Sequence, residues 1–193
     1  MARPGTNQAI FFELHGVLLH PYTDREDYVV PRFVDGALTA LSRFDPERFH
    51  LFLASNQCDV AFGKLRERDF NRFQEALQAK LQEEGIPIRK IYACLYHPKG
   101  KGRWKKESVF RKPNIGMFKM AEQEFDLNLR RSWVVGRESA DILAGDRAGL
   151  GTALIGDENE RRSWEYDVKP HICSGDILDL CERILSFETA MLH

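Results

Sequence analysis

The chain has 193 residues, with 28 Lys and Arg against 29 Asp and Glu and a formal net charge of −1 at pH 7. This balance gives no electrostatic reason to expect DNA or an anionic membrane as a partner. No apolar stretch reaches the roughly 20 residues of a bilayer span, and the N-terminal stretch MARPGTNQAI lacks the basic-then-apolar pattern of a signal peptide. We therefore expect a soluble cytoplasmic protein without nucleic-acid or membrane partners.

The cysteines give no sign of a disulfide or metal motif. Cys58, Cys94, Cys173 and Cys181 are widely spaced and form no C-x-x-C pair. Cysteines spaced in this way are more often buried thiols than disulfides in an intracellular chain. Cys58 has no adjacent base, so we interpret it as a packing residue.

Strand patterns alternate with helix patterns through most of the chain. In chain order, strands are expected at 9–17, 49–55, 90–96, 132–139, 151–156 and 171–175. Helices are expected between them at 34–44, 66–86, 115–126, 140–150 and 176–187. This alternation predicts an α/β fold, with a mostly parallel central sheet and helices on both faces. With no repeat or linker in view, we expect one domain over 1–193, with a core at about 9–187 and a basic loop at 97–110.

Polar residues follow three of the expected strands. Glu13 and His15 end the first strand, Ser55 and Asn56 end the second, and Arg137 follows a later one. Ligands of open parallel sheets bind beyond the carboxyl ends of the strands. We therefore expect these side chains to meet in one crevice.

Four segments occur in a suggestive order: FFELHGV, LASNQ, RKPNIGMF and VVGRESADILAGDRAG. This set resembles the haloacid dehalogenase (HAD) superfamily, and within it the branch of heptose 1,7-bisphosphate and histidinol-phosphate phosphatases. The resemblance covers about residues 9–156 and implies a HAD-like Rossmannoid three-layer fold with a minimal cap. It also implies phosphatase chemistry through an aspartyl-phosphate, with Mg²⁺ neutralising the phosphate and the nucleophile.

The resemblance implies that some of the family's catalytic residues are replaced in this chain and others are kept. Glu13 stands at the position of the nucleophilic aspartate, and His15 at that of the acid/base aspartate. Arg137 replaces the first motif-four aspartate, whereas Asp141 keeps the second. The phosphate-binding positions are retained, and we expect substrate contacts from Ser55, Asn56, Arg111, Lys112 and Arg137.

These replacements predict impaired hydrolysis. The extra methylene of Glu13 moves its carboxylate by more than about 1 Å, and misplacement of that order costs about 100-fold in rate. Arg137 donates only and cannot ligate a cation, so we expect no bound magnesium. In a second interpretation its guanidinium occupies the ion's space, pairing with Glu13, Asp141 or a phosphate.

The zinc loop that the resemblance implies is also altered. Tyr96, Ser108 and Phe110 stand where the family pattern has a histidine and two cysteines, leaving Cys94 and His97. Tetrahedral zinc needs four ligands, so we expect no zinc. The prediction for cofactors is therefore none.

The loop in that place is strongly basic, and its ordinary interpretation is a mobile, solvated segment. Inward packing of Trp104 and Phe110 is expected to hold it in place of a metal. The functional alternative is that its lysines lie over the crevice and attract an anion. One tryptophan is thin support for stacking on single-stranded nucleic acid.

The site residues have structural interpretations too. Glu13 is most simply a buried ion-pair partner of Lys112 or Arg137, and His15 a hydrogen-bonded turn residue. Ser55 and Asn56 are also candidates to cap the following helix.

Two further interpretations stay open at the sequence level. Lys112 precedes a proline and is compatible with a solvated loop, and Asp141 with the N-terminal charge of its helix. No exposed apolar helix face demands a dimer, so we expect a monomer or weak oligomer.

Three functional interpretations follow. The favoured one is a pseudophosphatase that binds a phosphorylated sugar or similar small anion. The second is an active phosphomonoesterase that uses Glu13 and His15. The third is a structural partner of another protein, with a vestigial crevice.

Overall fold

A computed structural model describes residues 7–21, 29–157 and 165–191. Six parallel strands form one sheet in the order β3-β2-β1-β4-β5-β6. The strands are β1 (Gln8–Phe12), β2 (Phe49–Asn56), β3 (Ile88–Cys94), β4 (Trp133–Gly136), β5 (Gly151–Ile155) and β6 (Ile172–Ser174). The helices are α1 (Ala37–Ser42), α2 (Cys58–Ala61), α3 (Glu67–Glu83), α4 (Gly116–Phe125), α5 (Ser139–Ala148) and α6 (Ile177–Ala190).

The first strand lies at the centre of the sheet because it is apolar on both faces. All five of its residues are buried, as expected for a strand of a parallel sheet covered on both sides. Ile10 and Phe12 contribute to one core cluster, whereas Ala9 and Phe11 contribute to the other. This alternation places α3 and α6 on one face and α4 on the other.

The switch in strand order fixes where a ligand can bind. β1 pairs with β2 on one side and with β4 on the other. The chain connections that follow β1 and β4 run in opposite directions at this point. A crevice therefore forms beyond the carboxyl ends of these two strands. The predicted α/β fold with helices on both faces is confirmed, and the sheet is parallel throughout the described strands.

The predicted first strand, 9–17, is too long. Regular pairing stops at Phe12, and Gly16 adopts a φ of 75°, which reverses the chain. The Gly16 N–H donates to the Leu19 carbonyl over 2.7 Å, so the turn is closed by its own backbone. Apolar residues after the strand, including Leu14 and Val17, are buried beneath this turn and produced the misleading continuous pattern.

The predicted basic loop is docked rather than free. The Lys101 N–H donates to the Ala61 carbonyl over 2.8 Å, and Trp104 packs against the Tyr96 ring at 5.3 Å. Phe110 packs against the second core cluster. The expected inward packing of Trp104 and Phe110 is therefore confirmed, while the lysines of the loop remain exposed.

A buried carboxylate ties the last helix to the sheet. Glu188 accepts hydrogen bonds from Gln8 Nε2 at 2.5 Å and from Trp133 Nε1 at 2.9 Å. Arg48 and Arg131 approach the same carboxylate at 3.5 and 3.4 Å. The charge of Glu188 is thus compensated at the amino-terminal ends of β1 and β4, opposite the crevice.

Replacing this carboxylate is expected to destabilise the fold. Glu188→Ala leaves buried donors without an acceptor and should lower the free energy of unfolding by about 2 to 4 kcal/mol. Glu182→Ala, an exposed glutamate of the same helix, should change it by less than about 0.5 kcal/mol. Urea denaturation measures both values, and equal stability of the two variants would refute the anchoring role.

None of the helices in the described ranges combines the length and the apolar character that a membrane span requires. The organisation of 1–193 as a single domain stays a prediction.

Candidate active site

A cavity of about 950 Å³ opens at the carboxyl ends of the central strands. It brings together most of the residues that the sequence singled out. Its lining includes Glu13, His15, Asn56, Arg111, Lys112, Arg137 and Asp141. Ser55 lies beneath this surface and is completely buried.

Lys112 forms the centre of the cavity floor. Its side chain is fully buried, and its Nζ contacts Glu13 Oε2 at 2.7 Å and Asp141 Oδ1 at 2.6 Å. The third donor position reaches the Ala54 carbonyl at 2.7 Å. An ammonium has three donors, so Lys112 has none left for a ligand. The interpretation of Lys112 as a solvated loop residue is wrong, and the Glu13–Lys112 ion pair is confirmed.

The charges of this triad depend on one another. Burial acts to lower the pKa of Lys112, but Asp141 and Glu13 raise it above its ordinary value. For Glu13 the effects are reversed: burial raises the pKa of the carboxyl group, and the neighbouring Lys112 ammonium acts to lower it. The ammonium therefore stays protonated, and the two carboxylates hold it in place.

A chain of polar groups orients Glu13 from the other side. Glu13 Oε1 accepts hydrogen bonds from the Leu14 N–H at 2.7 Å and from the Ser55 hydroxyl. Gln57 Nε2 donates to Ser55 Oγ at 2.7 Å. Because a hydroxyl has one proton, the Gln57 donor leaves that proton directed at Glu13. In this structure Ser55 binds Glu13, instead of presenting its hydroxyl to a ligand.

Asn56 clamps the segment that carries Lys112. Its amide donates to the Lys112 carbonyl and accepts from the Lys112 N–H, both over 3.0 Å. This reciprocal pair fixes the chain between β3 and α4 against the end of β2. Helix α2 begins at Cys58 with Gln57 as its N-cap residue, and the Gln57 side chain makes no capping hydrogen bond. The capping interpretation of Ser55 and Asn56 is therefore wrong.

Asp141 serves the helix and the site together. Its Oδ2 accepts the Arg137 and Glu138 N–H groups, each over 3.0 Å, and Glu138 completes a capping box at the start of α5. The close turn needs a glycine, since a Cβ on Gly136 would lie 2.2 Å from Asp141 Cβ. The helix-terminal interpretation of Asp141 is confirmed, alongside its contact with Lys112.

Two arginines line the cavity, and their guanidinium groups differ in exposure. The exposed Arg137 side chain lies over Gly16, where a Cβ would come within 2.5 Å of Arg137 Cδ. In the described residues the guanidinium pairs with neither Glu13 nor Asp141, whose charge is paired with Lys112 instead. The third alternative of the sequence hypothesis, a contact with phosphate, stays a prediction. Arg111 Nη1 is buried and has no hydrogen-bond partner in the described part of the chain.

His15 lines the cavity in its neutral form. Burial lowers its pKa from 6.5 to about 4, against smaller opposing effects from His20 and Asp59. At pH 7 the imidazole therefore carries no dissociable extra proton, and it is a poor general acid.

The depressed pKa of His15 predicts a loss of stability in acid. The unfolded state takes up a proton near pH 6.5 while the folded state resists it until about pH 4. Stability is therefore full above the unfolded pKa and falls as the pH drops below it, by about 2 kcal/mol between pH 7 and pH 5. Urea unfolding of His15→Gln should show a smaller loss over this range; an unchanged loss would assign the acid sensitivity to other groups.

Sequence reasoning missed three residues of the site. Gln57 is buried and orients Ser55, yet its only signal is its place after a strand end. Glu165 and Tyr166 enter the cavity wall from the segment between β5 and β6. No periodic pattern marks that segment, so only the tertiary structure reveals its position.

Comparison with known proteins identifies the class. A HAD-hydrolase-like family model matches residues 109–180. A HAD-like phosphatase from Mesorhizobium loti superposes with a TM-score of 0.77 at 26% identity, covering 94% of this chain and 88% of that one. The sheet order and the polar strand ends thus define a HAD-type phosphatase fold.

The curated relatives narrow the class to a branch. D-glycero-alpha-D-manno-heptose-1,7-bisphosphate 7-phosphatase of Burkholderia mallei is 36% identical over 155 residues, which are 77% of this chain and 79% of the relative. The corresponding beta-heptose phosphatase of Haemophilus ducreyi is 28% identical, over 90% of this chain and 96% of the relative. The chain belongs to the HAD superfamily, in its heptose bisphosphate phosphatase branch.

The predicted absence of magnesium and zinc is wrong. The D,D-heptose 1,7-bisphosphate phosphatase from B. bronchiseptica, which has a TM-score of 0.76 and 21% identity over 93% of this chain and 99% of that one, is complexed with magnesium and phosphate. The prediction gave the loss of one protein ligand at Arg137 too much weight. Magnesium commonly keeps several waters and binds through one or two carboxylates plus substrate phosphate.

Proposed function

We propose that this chain binds a phosphorylated sugar in the cavity and hydrolyses it only slowly. The observation that carries the proposal is the buried Glu13–Lys112–Asp141 triad, in which every Lys112 donor is used. Arg111 and Arg137 meanwhile leave donors at the cavity wall. Groups for binding a phosphate are thus available, whereas the group at the nucleophile position is engaged.

Slow hydrolysis follows from the state of Glu13. Both of its oxygens accept hydrogen bonds, from Leu14, Ser55 and Lys112. An attacking oxygen must give up at least one of these buried contacts. The longer glutamate side chain also displaces the carboxylate relative to an aspartate, which costs about 100-fold in rate.

His15 also slows the first half of the reaction, in which the carboxylate takes the phosphoryl group and the sugar oxygen departs. A phosphatase needs a proton donor for the departing sugar oxygen, and the best donor has a pKa near the working pH. The His15 pKa of about 4 keeps the imidazole unprotonated at neutral pH. General acid catalysis by this residue is therefore weak.

Glu13 and Asp141 are the residues that would hold magnesium. The Lys112 ammonium now lies between their oxygens, so a magnesium ion would have to share these two carboxylates with it. No third His, Cys, Asp or Glu joins them in the described ranges, so phosphate and water would complete the coordination. When bound, the ion would neutralise part of the phosphate charge.

Binding relies on the arginines. A guanidinium presents a planar set of donors that matches a phosphate in two-point contact. Arg111 Nη1 is buried at the cavity wall and finds no acceptor among the described residues, which is costly unless a ligand supplies one. A phosphate would satisfy this donor only after the Arg111 side chain turns it into the cavity, because the atom is buried in this structure.

Isothermal titration with heptose 1,7-bisphosphate and with inorganic phosphate tests the proposal. Arg111→Gln should weaken phosphosugar binding at least about tenfold, since a charge-assisted contact contributes about 1.5 to 3 kcal/mol. Arg183→Gln is the matched control, because Arg183 is exposed and pairs with Asp179 on α6. Absence of binding by the wild type, or equal binding by both variants, would reject the proposal.

A further inference from the structure

The hydrogen bonds beneath the cavity floor run in one direction, from Gln57 through Ser55 to Glu13. In its ion pair with Lys112, Glu13 is a carboxylate, and carboxylate oxygens only accept. The Ser55 hydroxyl therefore donates its one proton to Glu13 Oε1. Ser55 Oγ is left as an acceptor for Gln57, so the amide atom that faces it at 2.7 Å has to be the donor Nε2.

Gln57 is held in the position that this contact requires. It is 3% exposed, and its backbone N–H donates to the Cys94 carbonyl at the end of β3 over 2.8 Å. Gln57 and Ser55 both lie outside the lining of the cavity. Their influence on a bound ligand therefore has to pass through Glu13.

The two oxygens of Glu13 have different surroundings. Oε1 accepts from the Ser55 hydroxyl and the Leu14 N–H, whereas Oε2 contacts the Lys112 ammonium. A glutamate has one rotatable bond more than an aspartate at the same position, so its carboxylate needs more contacts to keep one orientation. With Oε1 anchored, Oε2 is the oxygen left to be shared with a magnesium ion or a phosphoryl group.

We infer that Gln57 is a positioning residue: through the Ser55 hydroxyl it anchors Glu13 Oε1 and keeps Oε2 directed at the ligand. The inference deepens the proposed function and rests on it. Loss of a hydrogen bond that orients a metal-binding side chain commonly costs about 10- to 100-fold in affinity or activity. Gln57 acts one step farther away, so we expect the smaller effect of one ordinary hydrogen bond, about fivefold in rate.

Two substitutions of Gln57 separate positioning from ligand contact. Gln57→Met keeps the length of the side chain and removes the donor, and Gln57→Asn keeps the amide but is too short to reach Ser55. Each should lower the rate of phosphate release from heptose 1,7-bisphosphate about fivefold. Each should change the calorimetric dissociation constant of inorganic phosphate by less than about twofold. Gln78→Met is the matched control on the exposed surface of α3 and should change neither value.

A double-mutant cycle shows whether the effect of Gln57 passes through Ser55. Ser55→Ala removes the intermediate hydroxyl, so adding Gln57→Met to it should lower the rate by less than about twofold further. Urea denaturation of the same four proteins gives a second readout that does not depend on turnover. We expect the two substitutions to be coupled by about fivefold in the equilibrium constant of unfolding, because the residues share one buried hydrogen bond.

The possible failures are distinguishable. A wild-type rate in Gln57→Met and Gln57→Asn, a loss of phosphate affinity at an unchanged rate, or independent effects of Gln57 and Ser55 overturn the inference and leave the proposed function standing. If the wild type neither binds nor hydrolyses the phosphosugar, the proposed function fails. The coupling in the unfolding equilibrium then decides the inference: independent effects overturn it, and coupled effects retain Gln57 as the residue that orients Glu13.

Discussion

Replacing Lys112 by methionine is expected to lower the free energy of unfolding by about 3 to 5 kcal/mol. The ammonium lies between Glu13 and Asp141, and the contacting Lys112 and Asp141 side chains are 0 and 3% exposed. Methionine keeps the length of the side chain but leaves two buried carboxylates without a cation. For a chain of this size, the loss corresponds to a fall in melting temperature of about 6 to 20 °C.

Lys119→Met provides the control for this comparison. Lys119 also pairs with a glutamate, Glu122 at 2.8 Å, but on an exposed helix surface. Exposed pairs contribute at most about 1 kcal/mol. Chemical denaturation at pH 7 measures both variants, and a Lys112→Met protein within about 1 kcal/mol of the control would show that the triad is not a buried charge network.

Restoring three aspartates is expected to raise phosphate release by about 100-fold or more. The variant combines Glu13→Asp, His15→Asp and Arg137→Asp. It shortens the carboxylate at the nucleophile position, supplies a carboxyl acid/base group and adds an oxygen ligand beside Asp141. Phosphate release from heptose 1,7-bisphosphate with magnesium present measures the gain against the wild type.

The matched control places asparagine instead of aspartate at position 13 in the same triple background. Asparagine has the shape of aspartate without its negative charge, so it cannot form an acyl-phosphate by carboxylate attack. The control should release phosphate no faster than the wild type. If the triple aspartate variant folds and still shows no gain, these three residues do not limit the rate of hydrolysis.

The fold was predictable because its strands are strongly patterned. Alternating apolar runs and amphipathic helices identified every strand and the longer helices. The 17-residue helix α3, for example, buries the predicted stripe of Phe70, Phe73, Leu77 and Leu81. The error at residues 13–17 has a physical cause. Buried loop residues such as Leu14 and Val17 are as apolar as strand residues, and only the positive φ of Gly16 ends the strand.

The sequence predicted most of the residues that line the cavity, but not the hydrogen bonds and ion pairs between them. The carboxyl ends of parallel strands bring Glu13, Asn56 and Arg137 to one cavity, as the order of the motifs implied. Sequence does not reveal which donor each acceptor chooses. Lys112 contacts the buried carboxylates, and the Ser55 hydroxyl donates to Glu13. Both contacts form because a buried charge is costly unless the protein itself supplies a partner for it.

The assignment of Arg137 shows the limit of counting ligands along a chain. An arginine at a ligand position removes one donor atom from the metal site. It leaves Glu13 and Asp141, whose oxygens converge on one cation in the structure. Two carboxylates and a phosphate are a common set for magnesium, so the residue change alone did not justify the predicted absence.

The most direct test of slow turnover is the steady-state rate of phosphate release by the unmodified chain, at saturating phosphosugar and with magnesium present. Enzymes typically turn over at about 1 to 10³ s⁻¹. The engaged Glu13 and the neutral His15 predict a rate below about 0.01 s⁻¹, a loss of about 100-fold or more from the slow end of that range. Turnover of about 1 s⁻¹ or faster would contradict this prediction and identify the chain as an active phosphatase.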